Sequence, residues 1–374
     1  MKKLNRILFI SSEFPPGPGG IGNHAWNLVK QLNKDCEVDI LTVSEYATKA
    51  ECNSFDIEQK LNIYRFERSS SSIFTYIKRL LVVYRYSTKN NYTYCIFSGK
   101  SSIMLASIIN LIQKNTKLIG VVHGSELLIQ NPLVNFIFYR GLNRLNLIIS
   151  VSKHTQSLVS KKILDSKKKV IPNGVNLDML KNKSDQLSNI RLKGKPCLIT
   201  IGSITERKGQ ESFITILPQI IKKYPDVHYH CIGLPIEGGK LKELLAKNKL
   251  DNYVTIHGFI PNRKLYEIYQ QADILILLSK NNLKANTEGF GIVVLEANLF
   301  GVPSIGSIRT GISESIKDGD TGFLVDPSSA KNIISSIARI MDNKNEFSKK
   351  TIEWAQKHSW EKITKRYIEA ISDA

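Results

Sequence analysis

The sequence has few cysteines and no long apolar run, and both absences narrow the class of protein. Its five cysteines are odd in number, widely spaced and without a C-x-x-C pair, which argues against a disulfide framework and against a zinc site. The thiols are therefore expected to be free and mostly buried. No stretch of 18 uncharged apolar residues occurs. The nearest candidate, Leu133 to Val151, is interrupted by Arg140, Asn143 and Arg144, and it predicts a helix followed by a buried strand.

Signals for secretion and for nucleic-acid binding are also missing. The apolar stretch Ile7–Ile10 is too short for the core of a signal peptide and runs into Glu13, so we expect a cytoplasmic protein. The net charge of +19 favours an anionic partner. No aromatic RNA-binding motif, zinc finger or heptad-linked basic region accompanies that charge. We therefore expect an acidic membrane surface or a phosphorylated substrate as the partner, and no nucleic acid.

The length of 374 residues fits two domains of ordinary size that meet at a cleft. Both halves alternate short apolar runs with helical patterns, which predicts an α/β protein with two doubly wound, Rossmann-like domains. Polar residues dominate around 175–195, so the boundary is placed between residues 185 and 186, and the second domain ends at 355. The last helix, from about Lys331 to Ala374, has a break near Trp360. The predicted strands are Ile7–Ser11, Glu37–Val43, Tyr94–Ser98, Leu118–His123, Leu147–Val151, Cys197–Ile201, Val227–Ile232, Val254–His257, Ile274–Leu278, Pro303–Gly306 and Gly322–Val325.

A glycine-rich loop follows the first predicted strand. Gly17 to Gly22 satisfies G-x-G-x-x-G, and Glu45 after the second strand is a candidate ribose ligand, which together indicate a dinucleotide-dependent dehydrogenase. However, Ser11 to Pro16 separate the strand from the first glycine, and Pro18 removes a backbone donor. One alternative is a flexible glycine-rich lip beside a substrate, assisted by the positive end of a helix that begins near Gly22. A tight loop that needs glycine dihedral angles explains the pattern at least as well as a dinucleotide site does.

The strongest pattern is the segment from Glu288 to Glu296. It predicts a loop followed by a helix that begins near Gly291, with Gly301 as its C-cap. Gly289 and Gly291 allow backbone N–H groups to approach a diphosphate at the positive end of that helix. The two carboxylates suit a sugar and a ribose, because a carboxylate accepts paired hydrogen bonds from neighbouring hydroxyls.

Two cations and a histidine follow other predicted strands. Arg207 and Lys208 come shortly after the strand that ends before Gly202, and His123 ends another strand just before Gly124. Ligands of open α/β sheets bind at the carboxyl ends of strands. The two cations suit a pyrophosphate and the charge that develops on a leaving nucleoside diphosphate, whereas a lone histidine is as often structural as functional.

At these residues the chain resembles the retaining glycosyltransferases of family 4, the group 1 glycosyl transferases. EGFGIVVLEA resembles that family's motif of two glutamates separated by seven residues, and the matching segments follow the family's order over nearly the whole chain. The resemblance implies the GT-B fold, with two Rossmann-like domains facing a central cleft and a C-terminal helix, residues 356–374, that crosses back to the N-terminal domain. The other matching segments are PPGPGGIGNHAWNL, HGSE, VSKHT, IPNGVN, IGSITERKG, HGFIPNRKLYEIYQQADILILLS and TGISESIKDGDTGFLVDP.

The resemblance also implies roles for single residues. Glu288 would contact the donor sugar, Glu296 the ribose, and Lys208 the diphosphate. The family places Arg where this chain has Ser203, so Arg207 would supply that charge from a neighbouring position. The catalytic residues carried over are Glu288, His123, Lys208 and Arg207. The donor-binding residues carried over are Glu296, Phe290, Gly291, Gly289, Gly202, Gly19 and Gly20.

The implied reaction transfers a sugar from a nucleotide diphosphate-sugar to a hydroxyl of a saccharide or lipid-linked saccharide, with retention, in bacterial cell-surface polysaccharide or lipopolysaccharide synthesis. No Asp-x-Asp pair stands at a strand end, so we expect no metal and no other cofactor. Three other classes remain open: a sugar-nucleotide epimerase on the same fold, a nicotinamide-dependent dehydrogenase, and a non-catalytic binding protein.

One further segment suggests contact with an anionic membrane, which would place the protein at the inner face of the cell membrane. Ile77, Leu80, Leu81 and Tyr84 have the spacing of one helical face, and four cations lie nearby. An ordinary amphipathic helix packed on the sheet has the same pattern. The four cations are Lys78, Arg79, Arg85 and Lys89.

Overall fold

The computed structural model describes residues 6–44, 47–67, 71–107, 109, 115–181, 190–235, 240–261, 264–280 and 287–374. Glu45, the candidate ribose ligand of a dehydrogenase, lies outside the described residues. So does the boundary that the sequence places between residues 185 and 186. By its internal contacts the chain divides into two compact units. The first comprises Met1–Gly174 and Trp360–Ala374, and the second comprises Val175–Ser359.

The first unit is built on a sheet of seven parallel strands in the order β3-β2-β1-β4-β5-β6-β7. The order reverses between β1 and β4, so the carboxyl ends of these two strands form a switch point where ligands of such sheets bind. The strands are β1 (Arg6–Ser11), β2 (Glu37–Val43), β3 (Asn62–Phe66), β4 (Tyr94–Ser98), β5 (Lys117–Val122), β6 (Leu147–Ser150) and β7 (Lys168–Val170).

Helices of the first unit pack on this sheet by burying one apolar face. The described helices are α1 (Gly20–Leu32), α2 (Lys49–Gln59), α3 (Ser72–Lys89), α4 (Lys100–Ile103), α5 (Pro132–Arg144) and α6 (Lys153–Leu158). Val83 of α3 and Phe138 and Leu142 of α5 belong to the same buried cluster as Cys95 and Phe97 of β4. Therefore α3 and α5 cover the same face of the sheet.

The second unit contains a sheet of six parallel strands in the order β10-β9-β8-β11-β12-β13. Its switch point lies between β8 and β11. The strands are β8 (Cys197–Ile201), β9 (His228–Ile232), β10 (Val254–Gly258), β11 (Ile274–Leu277), β12 (Ser304–Ser307) and β13 (Gly322–Val325). The described helices are α7 (Gln210–Lys223), α8 (Lys240–Lys247), α9 (Leu265–Gln271), α10 (Ile292–Leu299), α11 (Ala330–Asp342) and α12 (Lys344–Lys357).

The end of the chain returns to the first unit as helix α13 (Trp360–Ser372), which packs against α1. Its inward residues, among them Trp360, Ile363 and Tyr367, are buried. Gly174 fits beside this helix because a Cβ there would lie 2.7 Å from the Trp360 ring. The sequence predicted one broken helix after Lys331, whereas the structure has three, with an additional break at Asn343.

All predicted strands are present, with ends shifted by at most one residue, but two further strands were not predicted. Both missed strands, β3 and β7, lie at the edges of the first sheet. In β3, exposed residues alternate with half-buried or buried ones, and β7 has the sequence Lys-Lys-Val. An edge strand is solvated along one side, so it does not need a continuous apolar run.

The expectations about the cysteines and about the segment from Leu133 to Val151 agree with the structure. All five cysteines are free, and all but Cys36 are buried. The segment from Leu133 to Val151 is helix α5 followed by the buried strand β6. Within the described residues, no helix is long and apolar enough to cross a membrane. In the same part of the chain, no group of three or more His, Cys, Asp or Glu is arranged to hold a metal ion.

Candidate functional site

In the second unit, the loop after β8 carries two cations to the switch point. Gly202 follows the strand with φ +138°, and Lys208 lies directly beside it, since a Cβ on this glycine would be 3.5 Å from Lys208 Cε. Arg207 and Lys208 belong to the short 3-10 helix Glu206–Lys208. This turn is fixed to the segment after β11 because the backbone N–H of Lys280 donates to the Arg207 carbonyl at 2.7 Å. The strand order therefore places both cations next to the chain that leads to Glu288.

Glu288 binds both cations through one oxygen. Arg207 Nη1 donates to Glu288 Oε2 at 2.6 Å, and Lys208 Nζ donates to the same oxygen at 2.7 Å. The Glu288 and Lys208 side chains are each 13% exposed. Burial alone would raise the pKa of Glu288, but Lys208 and Arg207 outweigh it and hold the pKa at about 2. The carboxylate is thus ionised at neutral pH, with two cations close enough to bind a further anion.

The chain after Glu288 forms the start of helix α10. Gly291 is its N-cap with φ +81°, a left-handed conformation that favours glycine. The Glu288 carbonyl accepts a hydrogen bond from the backbone N–H of Gly311 at 2.9 Å. A Cβ on Gly311 would lie 2.0 Å from the Gly289 carbonyl oxygen, so this close approach requires glycine. Phe290 is only 2% exposed, so its ring belongs to the packed interior beside this loop.

Glu296, half-buried in α10, has a partner that the sequence did not suggest. The hydroxyl of Tyr269 on α9 donates to Glu296 Oε2 at 2.9 Å. Tyr269 is fully buried and its ring stacks on Phe300. A rigid tyrosine therefore orients the carboxylate that was predicted to bind ribose.

In the first unit, His123 lies just past the end of β5. Its Nε2 is 3.0 Å from the hydroxyl of Ser98, which ends the neighbouring strand β4. Burial lowers the pKa of His123 to about 3. The imidazole is therefore neutral at physiological pH, so one of its ring nitrogens can donate a hydrogen bond and the other can accept one.

The backbone around His123 is held by a buried carboxylate. Glu126 Oε1 accepts the His123 backbone N–H at 2.5 Å, and the N–H groups of Gly124 and of Glu126 itself also donate to this carboxylate. Glu126 is 6% exposed. Burial raises its pKa to about 7, although the three backbone N–H groups act in the opposite direction and Glu13 adds a smaller upward effect.

The glycines predicted to face donor and acceptor lie in the loop between β1 and α1. Gly19 and Gly20 are exposed, and Gly19 is the N-cap of α1 with φ +152°. A Cβ on Gly19 would lie 2.4 Å from the Glu13 carboxylate, whereas Gly20 has no neighbour within 4 Å. The helix begins at Gly20, two residues before the predicted start.

Helix α3 has an exposed apolar face, but the residues on it are not all those that the sequence predicted for membrane contact. Ile77, Leu81 and Tyr84 of α3 are exposed, whereas Leu80 is partly buried against the core and Arg79 is buried. Ile73 and Phe74 were not predicted to belong to this face, because the sequence analysis did not predict where the helix begins. The exposed large apolar residues of α3 are Ile73, Phe74, Ile77, Leu81 and Tyr84.

The structure thus brings Gly202, Arg207, Lys208 and Glu288 together at one switch point. It places His123 at the carboxyl edge of the other sheet. The roles of Tyr269, Gly311 and Glu126 were not predicted from the sequence. Glu126, Tyr269 and Gly311 all lie in segments that resemble the family, namely HGSE, YQQAD and TGISE. However, a linear pattern does not show which side chains contact each other in the fold.

Two family models together match nearly the whole chain. The model described as "Glycosyl transferases group 1" matches residues 182–358, which include the Glu288 cluster. The model described as "Glycosyltransferase Family 4" matches residues 18–179, which include His123.

Individual proteins that resemble this chain over most of their length are distant in sequence. A GDP-mannose-dependent alpha-(1-6)-phosphatidylinositol monomannoside mannosyltransferase of Mycobacterium tuberculosis is 23% identical over 356 residues, which cover 90% of this chain and 89% of the relative. The crystal structure of Anabaena HepE with UDP and glucose has a TM-score of 0.76 at 18% identity, covering 99% of this chain and all of that one. The lipopolysaccharide outer core galactosyltransferase WaaB has a TM-score of 0.71 at 15% identity, with 98% and 99% covered.

Proposed function

This chain belongs to glycosyltransferase family 4 and has the GT-B fold, and from this we propose that it transfers a sugar from a nucleotide diphosphate-sugar to a hydroxyl acceptor with retention at the anomeric carbon. That it is a glycosyltransferase follows from the family. The donor, the stereochemistry and the roles of individual residues are our proposal. The observation that carries it is the pairing of Glu288 with Arg207 and Lys208 at a strand switch point.

In the proposed donor complex, the diphosphate binds Arg207 and Lys208. Glu288 remains ionised, because its pKa is about 2, and accepts hydrogen bonds from hydroxyls of the donor sugar. Glu296, held by Tyr269, accepts hydrogen bonds from the ribose. Within the second unit, the other proposed donor-binding residues are Gly202, Gly289, Phe290 and Gly291. Gly19 and Gly20 of the first unit remain residues to which the family resemblance gives a donor-binding role.

The leaving group of this reaction is a nucleoside diphosphate, whose negative charge grows as the glycosidic bond breaks. Arg207 and Lys208 already lie within hydrogen-bond distance of an anionic oxygen. The N-terminus of α10, with its free backbone N–H groups, adds positive potential near Gly291. We propose that these groups stabilise the leaving diphosphate, with Arg207 in the role that the family gives to the arginine replaced here by Ser203, and without a metal cofactor.

Ligand-dependent thermal stability tests the donor site. UDP-, GDP-, ADP- and dTDP-sugars are added separately to the purified protein, and we expect one of them to raise the melting temperature because a bound ligand stabilises the folded state. The shift should be lost in Lys208→Ala and kept in Lys247→Ala, which removes a lysine of the same unit from α8. No shift with any donor, together with no transfer, would contradict the proposal.

We propose a saccharide or lipid-linked saccharide of the bacterial cell surface as the acceptor, and the inner face of the cell membrane as the place of reaction. The similar mannosyltransferase is named for a phosphatidylinositol mannoside, and a protein with a similar fold is named for lipopolysaccharide synthesis. These names support the acceptor class proposed here, polysaccharide or lipopolysaccharide precursors.

Two helices on one face of the first unit support contact with an anionic membrane. α3 exposes five large apolar residues, with Ile73 72% and Phe74 64% exposed. α5 exposes Leu133 and Phe136 by 68% and 64%. Neither helix contains an acidic residue, and their exposed cations are Lys78, Arg85, Lys89, Arg140 and Arg144. Apolar side chains that enter the headgroup region beside cations bind anionic lipid surfaces.

Sedimentation with vesicles tests this contact. We expect the protein to sediment with vesicles of phosphatidylcholine and phosphatidylglycerol in moderate salt, and not with phosphatidylcholine alone. The double variant Ile77→Ser, Leu81→Ser should lose binding. Ile57→Ser, which removes an isoleucine 78% exposed on α2, is the matched control and should bind normally. Equal binding by both variants would overturn the assignment of this surface.

A further inference from the structure

His24 is a fully buried histidine in the middle of α1, and the proposed reaction assigns it no task. Its Nε2 lies 3.0 Å from the hydroxyl of Tyr367 on α13. Its Nδ1 is buried and has no hydrogen-bond partner among the described residues. Burial, with a smaller contribution from His123, keeps the pKa of His24 well below its usual value. A neutral imidazole with one unsatisfied nitrogen in a fully buried place costs stability, which indicates a function besides packing.

The ring of His24 lies between His123 and the C-terminal helix. The centroids of the His24 and His123 rings are 4.9 Å apart with an edge-to-face angle of 79°. On another side, the Trp360 ring is 5.1 Å away at 76°. Trp360 and Tyr367 are both on α13, so this helix contacts His24 twice.

His123 needs such support because its own ring makes a single polar contact. Among the described residues, Ser98 is the hydrogen-bond partner of the His123 side chain. A single hydrogen bond at one ring nitrogen constrains the orientation of the imidazole less than bonds at both nitrogens would. The edge-to-face contact with His24 adds a constraint on the ring, and Glu126 fixes the backbone of His123.

We propose that His24 is a positioning residue, which holds the imidazole of His123 in one orientation and is itself held by Tyr367 and Trp360 of the C-terminal helix. The inference rests on the proposed glycosyl transfer and on the catalytic role that the family resemblance implies for His123. It gives α13, which follows the whole second unit in sequence, a defined effect on the chemistry at the edge of the first unit. Misplacement of a reacting group by about 1 Å lowers rates on the order of 10²-fold.

Two variants test the positioning through steady-state kinetics. His24→Leu removes the ring, and we expect kcat to fall on the order of 10²-fold with little change in the KM of the donor, whose proposed side-chain contacts are in the second unit. Tyr367→Phe keeps the ring and removes one hydroxyl, so a two- to tenfold decrease, about the effect of one hydrogen bond, is expected. Tyr76→Phe is the matched control, because it removes a hydroxyl that donates to the Met104 carbonyl at 3.1 Å in the same unit.

A second readout does not depend on activity. The ring signals of His123 are followed by NMR in histidine-labelled protein and assigned with His123→Ala. In the wild type, burial lowers the pKa of His123 to about 3, so the ring stays neutral at pH values well below 6.5. In His24→Leu and Tyr367→Phe we expect it to titrate at higher pH, because a mobile ring becomes hydrated.

The outcomes separate this inference from the proposed function. A wild type that transfers no sugar contradicts the proposed function, while the NMR titration still tests the positioning. Unchanged His123 signals in folded variants overturn the positioning role, whatever happens to kcat. An equal loss in Tyr76→Phe, or a rise in donor KM in place of a fall in kcat, also overturns it. If His24→Leu does not fold, Tyr367→Phe decides alone.

Discussion

The carboxyl edges of the two sheets hold their functional side chains by opposite electrostatic means. In the second unit, Glu288 is ionised between two cations, and its pKa is lowered to about 2. In the first unit, His123 is neutral, with a pKa lowered to about 3 by burial, and Glu126 has a pKa raised to about 7. Two sheets of the same architecture thus carry one charged site and one largely neutral site.

This difference follows from the residues at the strand ends. A loop of lysine and arginine keeps a buried carboxylate charged, because opposite charges favour the ionised form. A histidine surrounded by a serine and another histidine has no such partner, so desolvation dominates. The charged edge suits a diphosphate, and the neutral edge suits hydrogen bonding to sugar hydroxyls. The following experiments test the difference between the charged edge and the neutral edge.

The largest effect is expected at the charged edge. Glu288→Ala and Lys208→Ala should each lower kcat by about 10²–10³-fold, the range found when a group that stabilises developing charge is removed. Both proteins should stay folded, because Arg207 is 29% exposed and water or a buffer anion can reach the cluster. Transfer rates and circular dichroism are the measurements. Glu346→Ala, which breaks an ion pair in the same unit with Lys350, is the control. Near-normal rates in both variants would remove the site assignment.

At the neutral edge, His123→Ala should lower kcat on the order of 10²-fold, because the family resemblance implies a catalytic role for this imidazole. Ser98→Ala removes the hydrogen-bond partner of the ring and should have a smaller effect in the same direction. Steady-state rates at saturating donor measure both. If His123→Ala instead raises the donor KM at constant kcat, the histidine belongs to binding and the contrast between the two edges is weaker than proposed.

The dependence of stability on pH distinguishes the two carboxylates. The folded pKa of Glu126 is raised from 4.5 to about 7, so its contribution to stability is present below about pH 4.5 and is lost as pH rises through 7. Glu288 has the opposite sign: its contribution is present above about pH 4.5 and is lost as pH falls toward 2.

Chemical denaturation of the wild type and of Glu126→Gln at pH 5 and pH 8 measures the first effect. The free energy of unfolding of the wild type, relative to the variant, should decrease by about 1 to 3 kcal/mol between these pH values. A difference that does not change with pH would show that Glu126 titrates normally.

The smallest effect is expected at Tyr269. Tyr269→Phe removes the hydroxyl that donates to Glu296 and leaves the stacking on Phe300. We expect the donor KM to rise about three- to tenfold, the equivalent of one hydrogen bond, with kcat nearly unchanged. A matching loss in kcat would mean that Glu296 acts on the reaction itself and not on the ribose.

Much of the architecture could be predicted because strands and helices are local. The central strands are continuous apolar runs such as Ile7 to Ile10, which are buried on both faces of a parallel sheet. The edge strands β3 and β7 were not predicted, because partly exposed strands do not need a continuous apolar run. Likewise, Leu80 and Ile77 both fit the apolar spacing of one helical face. Only the packing of α3 on the sheet decides that Leu80 is partly buried and Ile77 is exposed.

The sequence by itself determined the two α/β halves, the glycine-led start of α10 and the residue types of the candidate site. Only the tertiary structure decided which side chains meet. Glu288 and Lys208 are 80 residues apart, and His24 and Tyr367 are 343 apart. Such pairs depend on the order of strands in a sheet and on the return of the last helix to the first unit. Local spacing describes the face of one helix or strand, but it contains no information on which distant element will pack against that face.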